Sequence, residues 1–310
     1  MSRPTADVSV IVPTRACRDR ASTLMRAIDS VIHQTGARGV PIVVVNGPLG
    51  APEVLTHLRR RTDIRLAVLE EASLPVALRT GRAMVDTPFF SVLDDDDELL
   101  PGALRTRLDA FVTEPVPDVV VTGGYLESAG RRRVEIEDFR RVEADPLRAL
   151  FVQHWLRPCA GCFRTAAVPA AFFESIPPYR EWTWLALRCA LELRIRFVAE
   201  PTFVYRTDTP GSLSKTSAYA LAGPAALARM LALDLPADVR TILKVRLAGD
   251  LHSAAVCQLA AGHHAAAWRL HLRSLVQPSG WRYLPYARHL VAAALTGARA
   301  TGRTAASGGA

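Results

Sequence analysis

Cysteines and long apolar runs are both scarce in this sequence, and their scarcity excludes several classes of protein. The 310 residues include five cysteines, an odd number without the spacing of a disulfide framework, which favours a reducing compartment. The best apolar stretch, residues 290–298, falls well short of the roughly 18 residues that a membrane-spanning helix needs. The residues before the first strand-like segment lack the apolar core of a signal peptide. We therefore expect a cytoplasmic protein.

Lysine is rare throughout, and acidic residues are rare in the last third of the chain. Only Lys215 and Lys244 stand among 38 basic residues that are otherwise arginine, and the net charge is +8. Residues 221–310 contain ten basic and three acidic residues and so carry +7 of that charge. Because this excess lies outside the first, α/β-like half, we expect no nucleic-acid partner.

The basic region has two interpretations. Its Ala/Leu-rich helical segments either pack on the rest of the chain with their arginines in solvent, or lie as a peripheral contact on an anionic inner membrane face through residues 221–300. The segment 281–288 mixes aromatic residues with arginine, a mixture that suits a membrane interface.

The composition is that of a globular protein, with 49% hydrophobic and 22% charged residues. Strand-like and helix-like segments alternate through the first half, which predicts an α/β fold with a mostly parallel central sheet flanked by helices. We expect strands at residues 8–12, 42–45, 64–68, 89–93, 119–123 and 195–205, and helices at 24–32, 52–60, 73–84, 101–111, 146–155 and 181–192. Ser73 is the expected cap of the 73–84 helix.

Four consecutive aspartates, 94–97, directly follow the apolar strand 89–93. Like charges this close raise one another's pKa unless a cation or water screens them. In open α/β sheets, ligands bind at the carboxyl ends of the strands. Carboxylates spaced i and i+2 there suit a divalent ion such as Mg²⁺ or Mn²⁺ that also coordinates substrate phosphates. The alternative is a solvated acidic turn before the helix that begins near Pro101.

Three segments in this order resemble inverting glycosyltransferases of family 2, which have the GT-A fold. Residues 8–14, VSVIVPT, are similar to the family's opening strand, and 27–35, AIDSVIHQT, to its first helix. Residues 93–102, LDDDDELLPG, resemble its metal-binding motif LDxDDxxxPG. The resemblance covers roughly residues 7–215. It implies a GT-A-type catalytic domain at 1–217. The Ala/Leu-rich composition of residues 218–300 predicts a basic helical extension, and the Gly/Ala/Ser/Thr-rich composition of residues 301–310 predicts a disordered tail.

The same resemblance implies a reaction and a donor site. The expected enzyme moves a sugar from a nucleotide-diphosphate sugar to a hydroxyl of a polysaccharide, glycolipid or similar acceptor, assisted by Mn²⁺ or Mg²⁺. The residues that match the family's donor and metal positions are Pro13, Thr14, Asn46, Arg79, Asp94, Asp95 and Asp96. Among them Asp96 is the expected direct metal ligand, while Asp94 also faces the ribose or sugar. Asn46 replaces the family's usual acid, which weakens the expectation of a uridine donor.

On the acceptor side, residues 179–184 resemble the family's acidic "EDW" motif, with Arg180 in place of its first acid. Glu181 then occupies the general-base position; the alternative is an acid that stabilises a helix N-terminus. Asp97, Trp182 and Trp184 are expected to contact sugar, with core packing as the alternative for the tryptophans. Asp208 stands where a closing motif of the family can supply a histidine, and is the third expected metal ligand.

Two other functions compete with this interpretation. A non-catalytic nucleotide-sugar-binding relative is favoured by the substitutions at Asn46 and Arg180 and opposed by the intact aspartate cluster. A nucleotidyltransferase would need a Gly-rich phosphate loop after the first strand, and residues 12–35 contain no glycine.

Overall fold

A computed structural model of the chain describes residues 6–209 and 216–295. The chain divides into two compact units, and the division falls between Pro210 and Gly211. The expected disordered tail, 301–310, lies outside the described residues.

The first unit is built around a nine-stranded sheet. Its strands are β1 (Val8–Thr14), β2 (Gly39–Val45), β3 (Arg65–Val68), β4 (Phe89–Val92), β5 (Glu98–Leu99), β6 (Val119–Ser128), β7 (Arg131–Val134), β8 (Gly161–Arg164) and β9 (Ile195–Arg206). They lie in the order β3-β2-β1-β4-β8-β6-β9-β5, with β7 paired to β6. The pairs among β3, β2, β1 and β4 are parallel, as is the β6–β9 pair, while β8, β5 and β7 pair antiparallel. This is the predicted mostly parallel α/β sheet.

Helices connect the strands. They are α1 (Ala21–Ile32), α2 (Pro52–Arg60), α3 (Leu74–Ala83), α4 (Ala103–Ala110), α5 (Phe139–Ala144), α6 (Pro146–Ala149) and α7 (Glu181–Glu192). As predicted, the Ser73 hydroxyl caps α3 by accepting from the Val76 N–H. Apolar residues of α1 and α3 face the sheet and are buried.

The register of the parallel strands decides where the site forms. Thr14 at the end of β1 pairs with Val45 at the end of β2, and Ile11 pairs with Val92 at the end of β4. All seven residues of β1 are buried, which accounts for its continuous apolar run. The carboxyl ends of β1, β2 and β4 therefore meet at one edge of the sheet, and the aspartates begin there.

The predicted helix at 146–155 is wrong beyond its first turn. Helix α6 ends at Ala149, and the indole Nε1 of Trp155 donates to the carbonyl of Pro146 across 2.8 Å. Nine residues of continuous helix would separate these positions by about 13 Å. The chain turns back instead, because doing so buries Trp155 completely.

The second unit is helical, as predicted. It comprises α8 (Ser217–Leu231), α9 (Ala237–Ala260), α10 (His264–Leu275), a 3₁₀ helix at Gly280–Tyr286 and helical residues 287–295. Its buried side chains are mostly those of leucines and alanines, together with Met230, Val239, His271 and Ser274. Within the two described ranges, every helix is too short or too polar to cross a membrane.

Candidate active site

Three of the four aspartates converge. Carboxylate oxygens of Asp94, Asp96 and Asp97 all lie within 4.8 Å of one another. Burial and the neighbouring carboxylates hold the pKa of Asp94 and of Asp97 well above its ordinary value. Asp97 is 1% exposed; its Oδ1 accepts from the Arg206 N–H at 2.9 Å, while its buried Oδ2 has no hydrogen-bond partner among the described residues. Such a group of oxygens fits a hard divalent cation.

Asp95 is held apart from this group. Its Oδ2 accepts from the Thr14 hydroxyl at 2.6 Å, and its Oδ1 accepts from the Arg20 guanidinium at 2.5 Å. Burial raises the pKa of Asp95, and the Arg20 charge works against that rise. The Thr14 hydroxyl also accepts from the Ala16 N–H. The side chains of Thr14 and Asp95 are therefore engaged inside the protein, and their expected contacts with the donor stay predictions.

Two arginines contact the aspartates in a way that sequence analysis did not predict. Arg20 lies 3.4 Å from the Asp96 carboxylate in addition to its contact with Asp95. Arg206, at the end of β9, donates through its side chain to the Asp96 carbonyl and pairs with Glu98 and Glu127. No local motif marks Arg20, whose partner Asp95 lies 75 residues away in the sequence. Arg206 belongs to the closing motif that also contains Asp208, but the motif does not indicate its pairing with Glu127, which is 79 residues away. The two cations limit how far the aspartates repel one another.

Asp208 is not brought into the cluster. Its carboxylate is exposed and accepts from the Ala129 N–H at 2.6 Å. Ala129 adopts a left-handed conformation, with φ +49°, in the turn that joins β6 to β7. Asp208 thus stabilises that turn, and its expected role as a metal ligand stays a prediction that this geometry does not support.

The expected donor residues lie at the same sheet edge, with one exception. Pro13 is buried in β1. Asn46 follows β2, donates its backbone N–H to the Thr14 carbonyl at 2.6 Å, and accepts from the Ser73 N–H through its side-chain oxygen at 2.5 Å. Asn46 therefore joins the ends of two strands to the start of α3. Arg79 is the exception, since it is exposed on α3, further along the helix.

Glu181 is the first residue of α7 and is 7% exposed. Its carboxylate accepts from the Tyr179 N–H at 2.9 Å. Burial raises the pKa of Glu181, and the Glu181 charge is the smallest of the contributions to the raised pKa of Asp94. On the same helix Trp182 is half-buried, whereas Trp184 is buried and packs in the core.

Sequence analysis also missed the polar contacts of the segment between α6 and β8. His154 lies 3.3 Å from the Thr183 hydroxyl. A few residues on, Arg157 pairs with the buried carboxylate of Glu135 and places its guanidinium 4.6 Å from the centre of the Tyr205 ring. Burial raises the pKa of Tyr205, and the negative charges of Asp94 and Asp97 raise it further. Arg157 thus places a cation against the ring of Tyr205, near the end of β9.

Comparisons with solved structures show the fold. TarS residues 1–349 from S. aureus, in complex with UDP-GlcNAc, superposes with a TM-score of 0.56 at 14% identity, covering 86% of this chain and 81% of that one. The complex of the same protein with UDP has a TM-score of 0.50 at 15% identity, with coverages of 79% and 71%. A longer TarS structure gives 0.55 at 15% identity, with coverages of 86% and 52%. The predicted GT-A-type fold is confirmed.

Sequence comparison shows the family. No curated protein matches the chain. The model of the family described as Glycosyl transferase family 2 matches residues 9–167, which is just over half of the chain and includes β1, the aspartates and β8. The chain therefore belongs to glycosyltransferase family 2, and it is a glycosyltransferase.

Proposed function

We propose that this glycosyltransferase moves a sugar from a nucleotide-diphosphate sugar to a hydroxyl of a carbohydrate or lipid-linked acceptor, with metal assistance and inversion at the anomeric carbon. One observation carries the proposal: carboxylate oxygens of Asp94, Asp96 and Asp97 converge into one acidic centre, and Glu181 is a separate buried carboxylate at the start of α7. The likeness to TarS, whose structures contain UDP-GlcNAc or UDP, supports a nucleotide-sugar donor.

The residues present fit a divalent metal. Asp94, Asp96 and Asp97 would hold Mn²⁺ or Mg²⁺, because their oxygens converge and the buried Asp97 Oδ2 lacks a hydrogen-bond donor in the described structure. When bound, the ion supplies Lewis-acid stabilisation of the charge that develops on the diphosphate. Arg20 and Arg206 hold the aspartates in place from either side.

Glu181 performs the proton transfer. The acceptor oxygen forms a bond to the anomeric carbon while the bond from that carbon to the diphosphate oxygen breaks. The hydroxyl proton passes to the Glu181 carboxylate, a transfer that is typically worth ~10²–10⁴-fold in rate. The raised pKa of Glu181 makes it a stronger base than an exposed glutamate. A single displacement of this kind inverts the anomeric carbon.

The nucleotide is proposed to lie along the sheet edge, with Pro13, Thr14, Asn46 and Arg79 around the base. The acceptor is proposed to approach from the side of α7, where Trp182 can stack on a sugar ring. Residues 221–300, which hold most of the positive charge, are proposed to contact an anionic membrane.

A thermal-unfolding panel tests the donor and the metal together. UDP-, GDP-, dTDP- and CDP-sugars are each added with and without Mn²⁺. One of them should raise the unfolding temperature by several degrees, since a ligand at ~100 times its dissociation constant adds ~2.7 kcal/mol. An equal rise in unfolding temperature without Mn²⁺ would contradict the proposed metal requirement. No rise with any of the four nucleotide sugars would contradict the proposed donor binding. Donor binding without transfer or hydrolysis would instead favour the non-catalytic relative.

A further inference from the structure

The second unit ends in a stretch without any acidic residue. Residues 251–310 contain neither aspartate nor glutamate. Four arginines in the described part of this stretch are exposed, namely Arg269, Arg273, Arg282 and Arg288. None of the four pairs with a carboxylate among the described residues. Their positive charge is therefore open to an anionic partner.

Two of these arginines border a small cavity. The cavity has a volume of about 160 Å³ and lies among His252, Tyr283, Tyr286 and the two arginines Arg282 and Arg288. The His252 ring stacks on Tyr283 with centroids 4.3 Å apart, and its edge meets Tyr286 at 4.9 Å. The aromatic rings and the two arginines thus line one open hollow.

Large apolar side chains stand exposed in the same 3₁₀ helix and in the helical residues that follow it. Trp281 is 77% exposed and Leu284 is 58% exposed; three residues apart in a 3₁₀ helix, they lie on one side of it. In the helical residues that follow, Val291 and Leu295 are also exposed, at the i+3 and i+7 positions from Arg288, and so share its face. Arg282 is anchored by its Nε, which donates to the Ser279 carbonyl at 3.0 Å, leaving its terminal nitrogens for a ligand.

We infer that this "Trp281 surface" docks on an anionic phospholipid membrane, with phosphate groups at Arg282 and Arg288 and apolar side chains among the acyl chains. It consists of Trp281, Arg282, Leu284, Arg288, Val291 and Leu295. Nucleic acid would satisfy the arginines but would leave the leucines and valine in water. A lipid interface satisfies both the arginines and the apolar residues. Tryptophan and arginine side chains are favourable at such an interface, and the apolar side chains are removed from water. The inference rests on the proposed membrane contact and assigns it to a particular surface.

Vesicle flotation of the full-length protein tests the assignment. Vesicles of phosphatidylcholine alone are compared with vesicles of phosphatidylcholine mixed with phosphatidylglycerol, at low and high salt. The variants are Arg282→Gln with Arg288→Gln, and Trp281→Ser with Leu284→Ser. The matched control is Arg59→Gln with Arg60→Gln, which removes the same charge from exposed positions of α2. Unfolding temperature and nucleotide-sugar binding of every variant are measured in parallel.

We expect the wild type to bind the anionic vesicles in a salt-dependent way. Each arginine near an anionic surface contributes a factor of roughly five to partitioning, so the double arginine variant should lose about 25-fold. The Trp281/Leu284 variant should also lose binding, and the α2 control should not. An equal loss of vesicle binding in the α2 control would show that net charge alone determines binding. That result would overturn the assignment of the membrane contact to the Trp281 surface. Absence of vesicle binding, or binding of RNA in its place, would overturn the membrane contact itself, while nucleotide-sugar binding reports separately on the glycosyltransferase.

Discussion

The guanidinium of Arg20 lies 2.5 Å from the carboxylate of Asp95, whose side chain is only 4% exposed. Arg20 belongs to the short turn between β1 and α1, and Asp95 follows β4. The pair ties these two segments together at the sheet edge, and Thr14 completes the tie by donating to the same carboxylate. Asp95 is therefore engaged in holding these segments together, whereas Asp94, Asp96 and Asp97 are the proposed ligands of the cation.

Replacement of Arg20 tests this tie. Arg20→Gln leaves the buried Asp95 carboxylate without its cation, and we expect the free energy of unfolding to fall by about 3 kcal/mol, the lower end of the range for a broken buried pair. Urea unfolding measures the loss. Arg18→Gln in the same turn is the matched control, because the Arg18–Glu53 pair is exposed and its loss should change little. Equal losses of stability from the two substitutions would contradict the claim that the buried Arg20–Asp95 pair contributes more to stability than the exposed Arg18–Glu53 pair.

Asp97→Asn should stabilise the metal-free protein at neutral pH. The folded protein holds the pKa of Asp97 above its value in the unfolded chain, so ionisation of this group opposes folding at any pH above its unfolded pKa. Asparagine keeps the oxygen that accepts from the Arg206 N–H. We therefore expect a higher free energy of unfolding than that of wild type, measured by urea unfolding with a chelator present. The gain should vanish below about pH 4, where the aspartate is protonated in both states; a loss at neutral pH would contradict it.

The sheet and the location of the aspartates were predictable, because both depend on short-range patterns. Continuous apolar runs such as 8–12 and 42–45 become buried parallel strands, and such strands end together. Ser73 was recognisable as a cap because capping involves residues three positions apart.

The partners of the site residues were not predictable in the same way. The Arg20–Asp95 and Arg157–Glu135 pairs join residues that are distant in sequence and have no local signature. The same reason explains why Asp208, placed by a motif, turned out to hold the β6–β7 turn. The sequence also gave no sign that Trp155 folds back on Pro146 and ends the expected helix.

Metal binding should separate Asp96 from Asp208. Asp96→Ala removes one of three converging carboxylates, and we expect Mn²⁺-dependent binding of the nucleotide sugar to be lost while the protein stays folded. Asp208→Asn keeps an oxygen that can accept from the Ala129 N–H, and we expect Mn²⁺ affinity to stay as in wild type. Calorimetric titration with Mn²⁺ measures both. Wild-type affinity in the Asp96 variant would exclude it as a ligand, and a large loss in the Asp208 variant would restore the sequence-based assignment.

Asn46 should contribute to stability through one hydrogen bond. Asn46→Ala removes the acceptor of the Ser73 N–H, and we expect unfolding to become easier by about 1 kcal/mol. Asn46→Asp keeps an acceptor oxygen and places a negative charge near the N-terminus of α3, which is favourable, so its stability should match or exceed that of wild type. Thermal unfolding of wild type and of the two variants measures these differences in stability. An equal loss in both would show that the amide nitrogen, and not the oxygen, matters.

Glu181→Gln should separate binding from turnover. The substitution preserves size and removes the ability to accept a proton, so the affinity for the donor should stay nearly constant while kcat falls by ~10²–10⁴-fold. Glu181→Asp keeps the carboxylate on a shorter side chain and should retain more activity than the glutamine variant. Near-normal turnover of Glu181→Gln would mean that another group takes the proton.

The pH dependence of kcat identifies the group that accepts the proton of the acceptor hydroxyl. Only the ionised Glu181 accepts a proton, so kcat should fall as the pH drops through its pKa in the enzyme–substrate complex. Burial raises that pKa above the ordinary value of 4.5, and the acidic limb of the profile should therefore lie above pH 4.5. Metal binding to the aspartates removes nearby negative charge, so the limb should move to lower pH as Mn²⁺ is raised. The residual activity of Glu181→Gln should lack this limb; if the limb persists there at the same pH, the titrating base is a different residue, and the assignment of Glu181 fails.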